Sequence, residues 1–256
     1  MRVVGIVQAR MTSTRLPGKV LMEVLGKPLL QYELERLGKI PSLDELVVAT
    51  TTNETDNPIE ELCDRFGIST FRGSELDVLA RYCEAAEQYK AGVVVRFTAD
   101  CPLIDPQISD SVIRYYLEHV ENIDYCGVDI STYPRGVDTE VCSFETLQEA
   151  DREGTSKSDR EHVTFFIWNR PERYKQWRIG NGNDWGKYRL TVDTPEDYEL
   201  IREVIERLYP TKPDFDINDV ITLLEENPEL PKINEMIRQK TVYSERGRDE
   251  DTRKDK

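Results

Sequence analysis

VVGIVQARMTSTRLPGK, residues 3–19, joins a short apolar run to a longer polar one. Val3-Val4-Gly5-Ile6-Val7 is rich in β-branched residues, which is typical of a buried strand. The polar part ends in Leu16-Pro17-Gly18-Lys19, a combination that favours a turn. We therefore expect a buried strand that runs directly into a loop.

The same alternation recurs along the first half of the chain. Pro28 suits a helix start, apolar residues follow it near helical spacing up to Leu37, and Leu46-Val47-Val48-Ala49-Thr50 resumes the strand pattern. Further on, the sequence predicts helices at about 58–66, 76–89 and 105–117, and strands at 68–71 and 93–97. Nearly all-apolar strands that alternate with helices indicate a mostly parallel sheet with helices on both faces. The predicted fold class is Rossmann-like α/β.

The second half of the chain is less regular. From about 124 to 188 we expect strands near 137–143 and 174–179 and helices near 144–153 and 160–168, forming a small α+β insertion that completes a pocket or a dimer contact. Helices then run from Thr194-Pro195 to about Leu208 and from Asp216 to about Glu226. Residues 1–240 are predicted to form a single domain. Residues 241–256, ten of them charged, are predicted to be a disordered tail.

Composition narrows the class of protein. With 38% hydrophobic residues, the chain can bury an ordinary core. It has neither a run of about 20 uncharged apolar residues nor a secretory start, so we expect a cytoplasmic protein with no membrane partner. Five cysteines without a C-x-x-C pair support neither a disulfide framework nor a zinc site. A formal charge of −15 argues against a nucleic-acid partner.

The charge is unevenly distributed along the sequence. Residues 1–27 contain one acid, Glu23, and five cations: Arg2, Arg10, Arg15, Lys19 and Lys27. Five cations against one acid give this segment a net charge of +4. An acidic protein that gathers cations in one segment is expected to meet an anion there.

The loop from Gln8 to Lys19 is the first candidate for that meeting, because ligands of open α/β sheets bind beyond the carboxyl ends of the strands. Its backbone N–H groups, hydroxyls and cations suit a triphosphate. It is not a Walker A loop, since no glycine lies five residues before Gly18 and Val20 replaces the Ser or Thr. The alternative is that Leu16-Pro17-Gly18 is a simple turn and the arginines are solvated.

Two aspartates also end strand-like runs. Asp100 follows the strand at 93–97, and Asp193 follows Leu190-Thr191-Val192. If both reach the switch point of the sheet they would share one Mg²⁺, a cation that takes few carboxylates together with phosphate oxygens. The alternative is that Asp193 belongs to a turn before Thr194-Pro195 and that Asp100 belongs to a turn before Pro102.

Several motifs resemble those of one known family. The loop 8–19 resembles the signature of cytidylyltransferases that activate sugar acids such as KDO and sialic acid. The further motifs, in order, are FRGSELDVL (71–79), ADCPLIDP (99–106), PRGVD (134–138), REHVT (160–164) and VDTPED (192–197). Over about residues 1–205 the chain is similar to the spore coat polysaccharide biosynthesis protein F branch of that family.

The resemblance implies a fold of the nucleotide-diphospho-sugar transferase type and transfer of CMP from CTP, with Mg²⁺, to a small anionic sugar or sugar-acid acceptor. It implies that Arg15, Lys19 and Asp100 are catalytic, that Asp100 and Asp193 hold the metal, and that the enzyme is a homodimer in polysaccharide or surface-glycan synthesis. The nucleotide-binding positions that it implies are Gln8, Ala9, Arg10, Ser13, Thr14, Thr50, Thr51, Arg72, Gly73, Ser74 and Asp77, with Arg81 as a support.

The acceptor is less closely specified. Where this chain reads Thr98-Ala99-Asp100-Cys101-Pro102, the KDO enzymes carry a glycine before the aspartate and an acid after it, which keeps the metal carboxylate but leaves the acceptor open. An acceptor pocket of Arg135, Asp138, Arg160 and His162 would let an arginine pair with a carboxylate or phosphate. The alternatives are ion pairs within the insertion and, for His162, a position on a helix surface.

Two other functions remain as alternatives. A glycosyltransferase that uses a nucleotide-sugar usually places a carboxylate-x-carboxylate motif on its metal. Here Asp249-Glu250-Asp251 lies in the predicted tail, and Asp214-Phe215-Asp216 resembles a helix cap. A catalytically silent nucleotide-binding protein is expected to lack a metal carboxylate or Lys19, and both are present.

Overall fold

The computed structural model describes residues 1–237, and its centre is a seven-stranded sheet. The strands are β1 (Val3–Gln8), β2 (Glu23–Val24), β3 (Lys27–Pro28), β4 (Glu45–Thr51), β5 (Ser69–Gly73), β6 (Val93–Thr98), β7 (Tyr125–Val128), β8 (Glu140–Ser143) and β9 (Gln176–Ile179). The short pair β2–β3 forms a separate hairpin, and the other strands are ordered β5-β4-β1-β6-β8-β7-β9. Only β8 is antiparallel to its neighbours in this sheet, so the predicted mostly parallel sheet is confirmed.

Helices cover both faces of the sheet. They are α1 (Leu29–Leu37), α2 (Asn57–Phe66), α3 (Val78–Gln88), α4 (Pro106–Glu118), α5 (Phe144–Glu153), α6 (Lys157–Glu161), α7 (Phe165–Trp168), α8 (Pro195–Leu208) and α9 (Ile217–Glu226). Within residues 1–237, none of these helices combines the length and apolar character that crossing a bilayer requires.

The strands supply two hydrophobic cores because successive side chains point to opposite faces. In β1, Val3 and Val7 enter the core formed with α1, α2, α4, α8 and α9. Val4 and Ile6 of the same strand enter the core formed with α3, α5 and α7. A strand buried on both faces must be apolar at almost every position, which is why the run at 3–7 does not alternate with polar residues.

Local side-chain bonds fix where the later helices begin. Thr194 and Asp216 cap α8 and α9, and each forms a capping box with the residue three positions on, Asp197 or Asp219. A cap of this kind stabilises a helix by about 1 kcal/mol. Both helix starts were predicted from the sequence and are confirmed.

The segment 124–188 differs from the prediction in two ways. It is not an irregular addition, because β7, β8 and β9 continue the central sheet on the far side of β6. The helix expected at 160–168 is also two short helices, α6 and α7, because Val163 between them adopts a left-handed backbone conformation with φ of 49°. The single-domain boundary at residue 240 stays a prediction, and the predicted tail at 241–256 lies outside the described residues.

The strand order places three chain segments side by side. Gln8 ends β1 between Ala49 of β4 and Thr98 of β6. Ala9 then donates its N–H to the Ala49 carbonyl at 3.2 Å, and Ala99 donates to the Gln8 carbonyl at 3.0 Å. Because β4 and β6 flank β1 on opposite sides, this point is the switch point at which open α/β sheets bind ligands.

Candidate active site

Lys19 lies at the centre of the charged groups beyond the switch point. The chain reaches it through Gly18, which has a left-handed φ of 72°. Its ammonium nitrogen Nζ donates to Asp100 Oδ2 at 2.8 Å, to Asp193 Oδ1 at 2.9 Å and to the Val192 carbonyl at 2.6 Å. An ammonium has three N–H groups, so these bonds use all of them.

The two aspartate segments are bonded to each other as well as to Lys19. Val192 donates its N–H to the Asp100 carbonyl at 2.8 Å, and the Thr191 hydroxyl donates to the same oxygen at 3.2 Å. These bonds add the 191–193 segment beside the end of β6. The structure therefore brings together Lys19, Asp100 and Asp193, which the sequence predicted as site residues.

Two arginines complete the charge balance around Asp193. Arg15 lies 2.8 Å from Asp193 Oδ1, and Arg189 lies 2.8 Å from Asp193 Oδ2. Arg189 also binds the fully buried Asp197, whose carboxylate in turn accepts the Asp193 N–H at 3.0 Å. Arg189 was not predicted from the sequence. Residues 189–193 are not helical, so its spacing from Asp193 and Asp197 gave no local signal of these pairs.

The charges in this cluster shift one another's pKa values. Burial raises the pKa of Asp100, but the Lys19 ammonium outweighs burial and lowers the pKa to about 2. Burial lowers the pKa of Lys19, but the charges of Asp100 and Asp193 outweigh it and raise the pKa above its ordinary value. At neutral pH the site therefore contains an ionised Asp100 and a charged Lys19.

The carboxylate pair fits a divalent metal that also binds phosphate. Asp100 Oδ2 and Asp193 Oδ1 lie 2.8 and 2.9 Å from the same nitrogen atom, so the two carboxylates already face one cation, the Lys19 ammonium. Among residues 1–237 there is no group of three or more His, Cys, Asp or Glu side chains arranged to hold a metal. Mg²⁺ suits such a pair because it usually binds one or two carboxylates and takes its other ligands from water and substrate phosphates.

Glu75 reaches the Gln8–Lys19 loop from the segment after β5. Its carboxylate accepts from the Thr12 hydroxyl and from Asn53 Nδ2 at 2.6 Å, and it lies 3.8 Å from Arg10. Ser13 is half-buried and Thr14 is exposed. The sequence analysis did not single out Glu75, although it stands within the motif 71–79.

The residues predicted to close around the nucleoside are linked mainly to one another. Thr50 and Thr51 are fully buried and donate to Asp56. The Arg72 guanidinium donates to two backbone carbonyls and two side chains of the segment 51–60. A side chain on Gly73 would meet Arg81 at 2.9 Å, and Arg81 in turn donates to the Ser74 carbonyl. These positions form the wall beside the Gln8–Lys19 loop, and their contact with a nucleotide stays a prediction.

The four predicted acceptor residues are in two places. Arg135 donates to Asp138 at 3.0 Å and exchanges backbone bonds with Tyr188 and Leu190, close to Asp193 in the chain. Arg160 instead donates to both oxygens of Asp77, at 2.7–3.0 Å, and to Asp151. The alternative of ion pairs within the insertion therefore describes Arg135 with Asp138 and Arg160 with Asp151, while Asp77 pairs with Arg160 from outside the insertion.

Two further positions answer questions that the sequence left open. His162 ends α6 and is half-buried, so it is not a freely exposed surface histidine. The triplet at 214–216 does not form a metal motif: Asp216 caps α9, Asp214 pairs with Lys39, and Phe215 between them is buried.

A buried carboxyl group, Glu33, supports the Asp100 loop from α1. It is fully buried and accepts the Cys101 N–H at 3.1 Å. Leu29, Glu33 and Leu37 are four residues apart on the buried face of the helix, so an acid within an apolar stripe is the sign that the sequence offered. Burial first, and the Asp100 charge second, raise the pKa of Glu33 well above its ordinary value of 4.5.

Glu33→Gln is expected to make the protein relatively more stable as the pH rises. A raised pKa in the folded state gives a contribution to stability that is complete below pH 4.5 and is lost as the pH rises through the folded-state pKa. Glutamine has no proton to lose, so the melting temperature of the variant minus that of the wild type should grow as the pH rises above 4.5. Exposed Glu61→Gln is the control, and parallel melting curves for Glu33→Gln would contradict the expectation.

Comparison with known proteins gives consistent matches over most of the chain. The sequence model of the cytidylyltransferase family matches residues 4–246. The spore coat polysaccharide biosynthesis protein SpsF of Bacillus subtilis is 36% identical over 231 residues, 88% of this chain and 94% of that protein. A cytidylyltransferase structure from Leptospira borgpetersenii superposes with a TM-score of 0.87 and 33% identity, covering 94% of this chain and 99% of the other.

A second group of relatives matches only in part. The mitochondrial 3-deoxy-manno-octulosonate cytidylyltransferase of Arabidopsis thaliana is 42% identical over 117 residues. That match covers 44% of this chain and 39% of the plant enzyme.

Proposed function

We start from the fact that this chain belongs to the cytidylyltransferase family, and we propose that it transfers CMP from CTP to an anionic sugar or sugar-acid acceptor and releases pyrophosphate. The observation that carries the proposal is the convergence of Lys19, Asp100 and Asp193 beyond the switch point of the sheet. The transfer needs cations that bind the triphosphate and carboxylates that bind its metal in the same place. Lys19, Asp100 and Asp193 supply both kinds of group.

The proposed reaction is an in-line displacement at the α-phosphorus of CTP. An acceptor oxygen forms a bond to that phosphorus while the bond from the α-phosphorus to the pyrophosphate oxygen breaks, and a hydroxyl acceptor releases its proton to solvent. Negative charge then grows on the leaving pyrophosphate, and Lys19 and Arg15 are placed to stabilise it. Since the chemistry needs mainly positioning and charge neutralisation, no side chain has to act as a general base.

Asp100 and Asp193 are the residues that we propose hold Mg²⁺. When bound, such an ion neutralises phosphate oxygens and lowers the pKa of a hydroxyl acceptor. Lys19 already donates all three N–H groups within the protein, so it binds a phosphate oxygen only by releasing one of its present acceptors. Releasing a carboxylate oxygen makes that oxygen available to a metal, which links the two functions of the cluster.

We propose that the acceptor lies beside Arg135 and Asp138. These residues lie between β7 and β8. The backbone of Arg135 pairs with that of Arg189, four residues before Asp193, and the Arg135 side chain is 35% exposed. Arginine is the residue that pairs best with a carboxylate or phosphate. The polysaccharide relative supports a sugar acceptor, and the partial match to the plant enzyme supports a sugar acid. A homodimer and a cytoplasmic location stay predictions.

The test is pyrophosphate release with Mg²⁺ from each of the four nucleoside triphosphates, against a panel of sugar acids, sugar phosphates and phosphonates. Release is expected only with CTP, the metal and one class of acceptor, and it should be lost in Asp100→Ala. If no triphosphate is consumed while a nucleotide-sugar is bound or hydrolysed, the glycosyltransferase alternative replaces the proposal. If nucleotides bind and nothing turns over with any acceptor, a silent nucleotide-binding protein is the better description.

A further inference from the structure

Met11 forms two backbone hydrogen bonds that attach the Gln8–Lys19 loop to its surroundings and close it. Its carbonyl accepts the N–H of Gly18 at 2.9 Å, which closes the loop into a compact turn. Its own N–H points the other way and donates to Asp56 Oδ1 at 2.8 Å. Gly18 immediately precedes Lys19, so Asp56 is connected to the lysine through two hydrogen bonds and the residues Met11 and Gly18.

Asp56 is a fully buried carboxylate bound by several donors. Besides the Met11 N–H, it accepts from the Thr50 hydroxyl at 3.2 Å, the Thr51 N–H at 3.3 Å and the Thr51 hydroxyl. All four donors are uncharged. Burying a carboxylate is costly unless its oxygens are well bonded, and here the bonds join the end of β4 to the loop that follows β1.

We propose that Asp56 is a positioning residue for nucleotide binding. It fixes the base of the Gln8–Lys19 loop to β4, so that Arg15 and Lys19 reach the pair formed by Asp100 and Asp193. The expected effect of Asp56 on CTP binding rests on the proposed function. The placement of the loop by Asp56 does not depend on which nucleotide binds.

The chain offers a control in Asp44 at the opposite end of β1. Its carboxylate accepts the Val3 N–H at 2.7 Å, just as that of Asp56 accepts the Met11 N–H. Both aspartates therefore bind a backbone N–H at or just beyond one end of β1. Only Asp56 does so at the switch point. Asp44 is exposed whereas Asp56 is fully buried, so the comparison depends on loop exchange and on the KM for CTP, and not on how much stability each variant loses.

The experiment compares Asp56→Asn with Asp44→Asn by amide hydrogen exchange in the substrate-free protein and by CTP kinetics. An amide group has one acceptor oxygen, so Asp56→Asn cannot accept all four donors. We expect faster exchange at residues 11–19 and a fall in kcat/KM for CTP of about 10- to 100-fold, mainly through KM, the range for losing a hydrogen bond to a charged group. Asp44→Asn should change neither.

The possible outcomes decide whether Asp56 positions the Gln8–Lys19 loop. If Asp56→Asn loses thermal stability but changes neither loop exchange nor the KM for CTP, Asp56 is only structural and the inference is overturned. If Asp56→Asn does not fold, Asp56→Glu replaces it. That variant keeps the charge but moves the acceptor oxygens, so it should also show faster exchange at residues 11–19 than the wild type. If the wild-type protein consumes no CTP, the proposed function fails, while loop exchange still decides whether Asp56 holds the loop.

Discussion

Lys19→Ala is expected to lower turnover with CTP by about 10²- to 10³-fold, the usual effect of removing one preorganised contact to the charge that develops in a transition state. Lys19 contacts both Asp100 and Asp193 and is only 9% exposed, so alanine at this position removes a buried cation from between the two carboxylates. Its loss also leaves burial to act on Asp100 without the opposing ammonium, so the pKa of Asp100 should rise.

Steady-state kinetics and the pH dependence of kcat/KM measure this effect. As the pH is lowered, the residual activity of Lys19→Ala should be lost at a higher pH than the activity of the wild type. Lys27→Ala is the control, because Lys27 lies in the same cationic segment and is also paired, with Glu35 at 2.7 Å, but it is not at the switch point. Equal turnover in wild type and Lys19→Ala would show that the catalytic site lies elsewhere.

Asp100→Ala is expected to reduce turnover by at least about 10²- to 10³-fold, again the loss of one essential electrostatic contact. The variant removes one of two proposed metal ligands and a partner of Lys19. The affinity for Mn²⁺ in the presence of CTP, followed by electron paramagnetic resonance, should fall together with turnover. Wild-type turnover with unchanged Mn²⁺ affinity would remove Asp100 from the mechanism.

Asp110→Ala provides the matched control for this variant. Asp110 lies on α4 and accepts the Ser42 N–H at 3.1 Å, away from the cluster around Lys19. The double variant of Lys19 and Asp100 adds a further check. Because the two side chains contact each other directly, its loss of activity should be smaller than the product of the two single losses.

Local elements of the fold were readable from the sequence. The strand at 3–7 and the helix at 144–153 lie where the sequence patterns placed them, since periodicity and capping act over a few residues. The break at Val163 was not readable, because a β-branched residue rarely adopts positive φ and does so here within a packed segment, where it is fully buried. Strand β7 was also not predicted, because it is short and contains Gly127.

The site was predicted in its residue types but not in its contacts. Lys19, Asp100 and Asp193 were all named from the sequence, and the structure brings them together. Glu33, Asp56 and Glu75 were not singled out, because each acts through bonds to a distant segment. Thr50 and Thr51 illustrate the converse, since the family resemblance implied that they contact the nucleoside, while their hydroxyls are bonded to Asp56.

The sequence by itself determined the alternation of strands and helices and the grouping of cations in residues 1–27. Only the tertiary structure decided what those cations meet. Each of the five is within ion-pair distance of an acid from later in the chain: Glu45, Glu75, Asp193, Asp100 and Glu35. The local charge of +4 is therefore balanced within the protein. The physical reason is separation along the chain: Lys19 meets residues 81 and 174 positions away, and only the order of the strands brings them together.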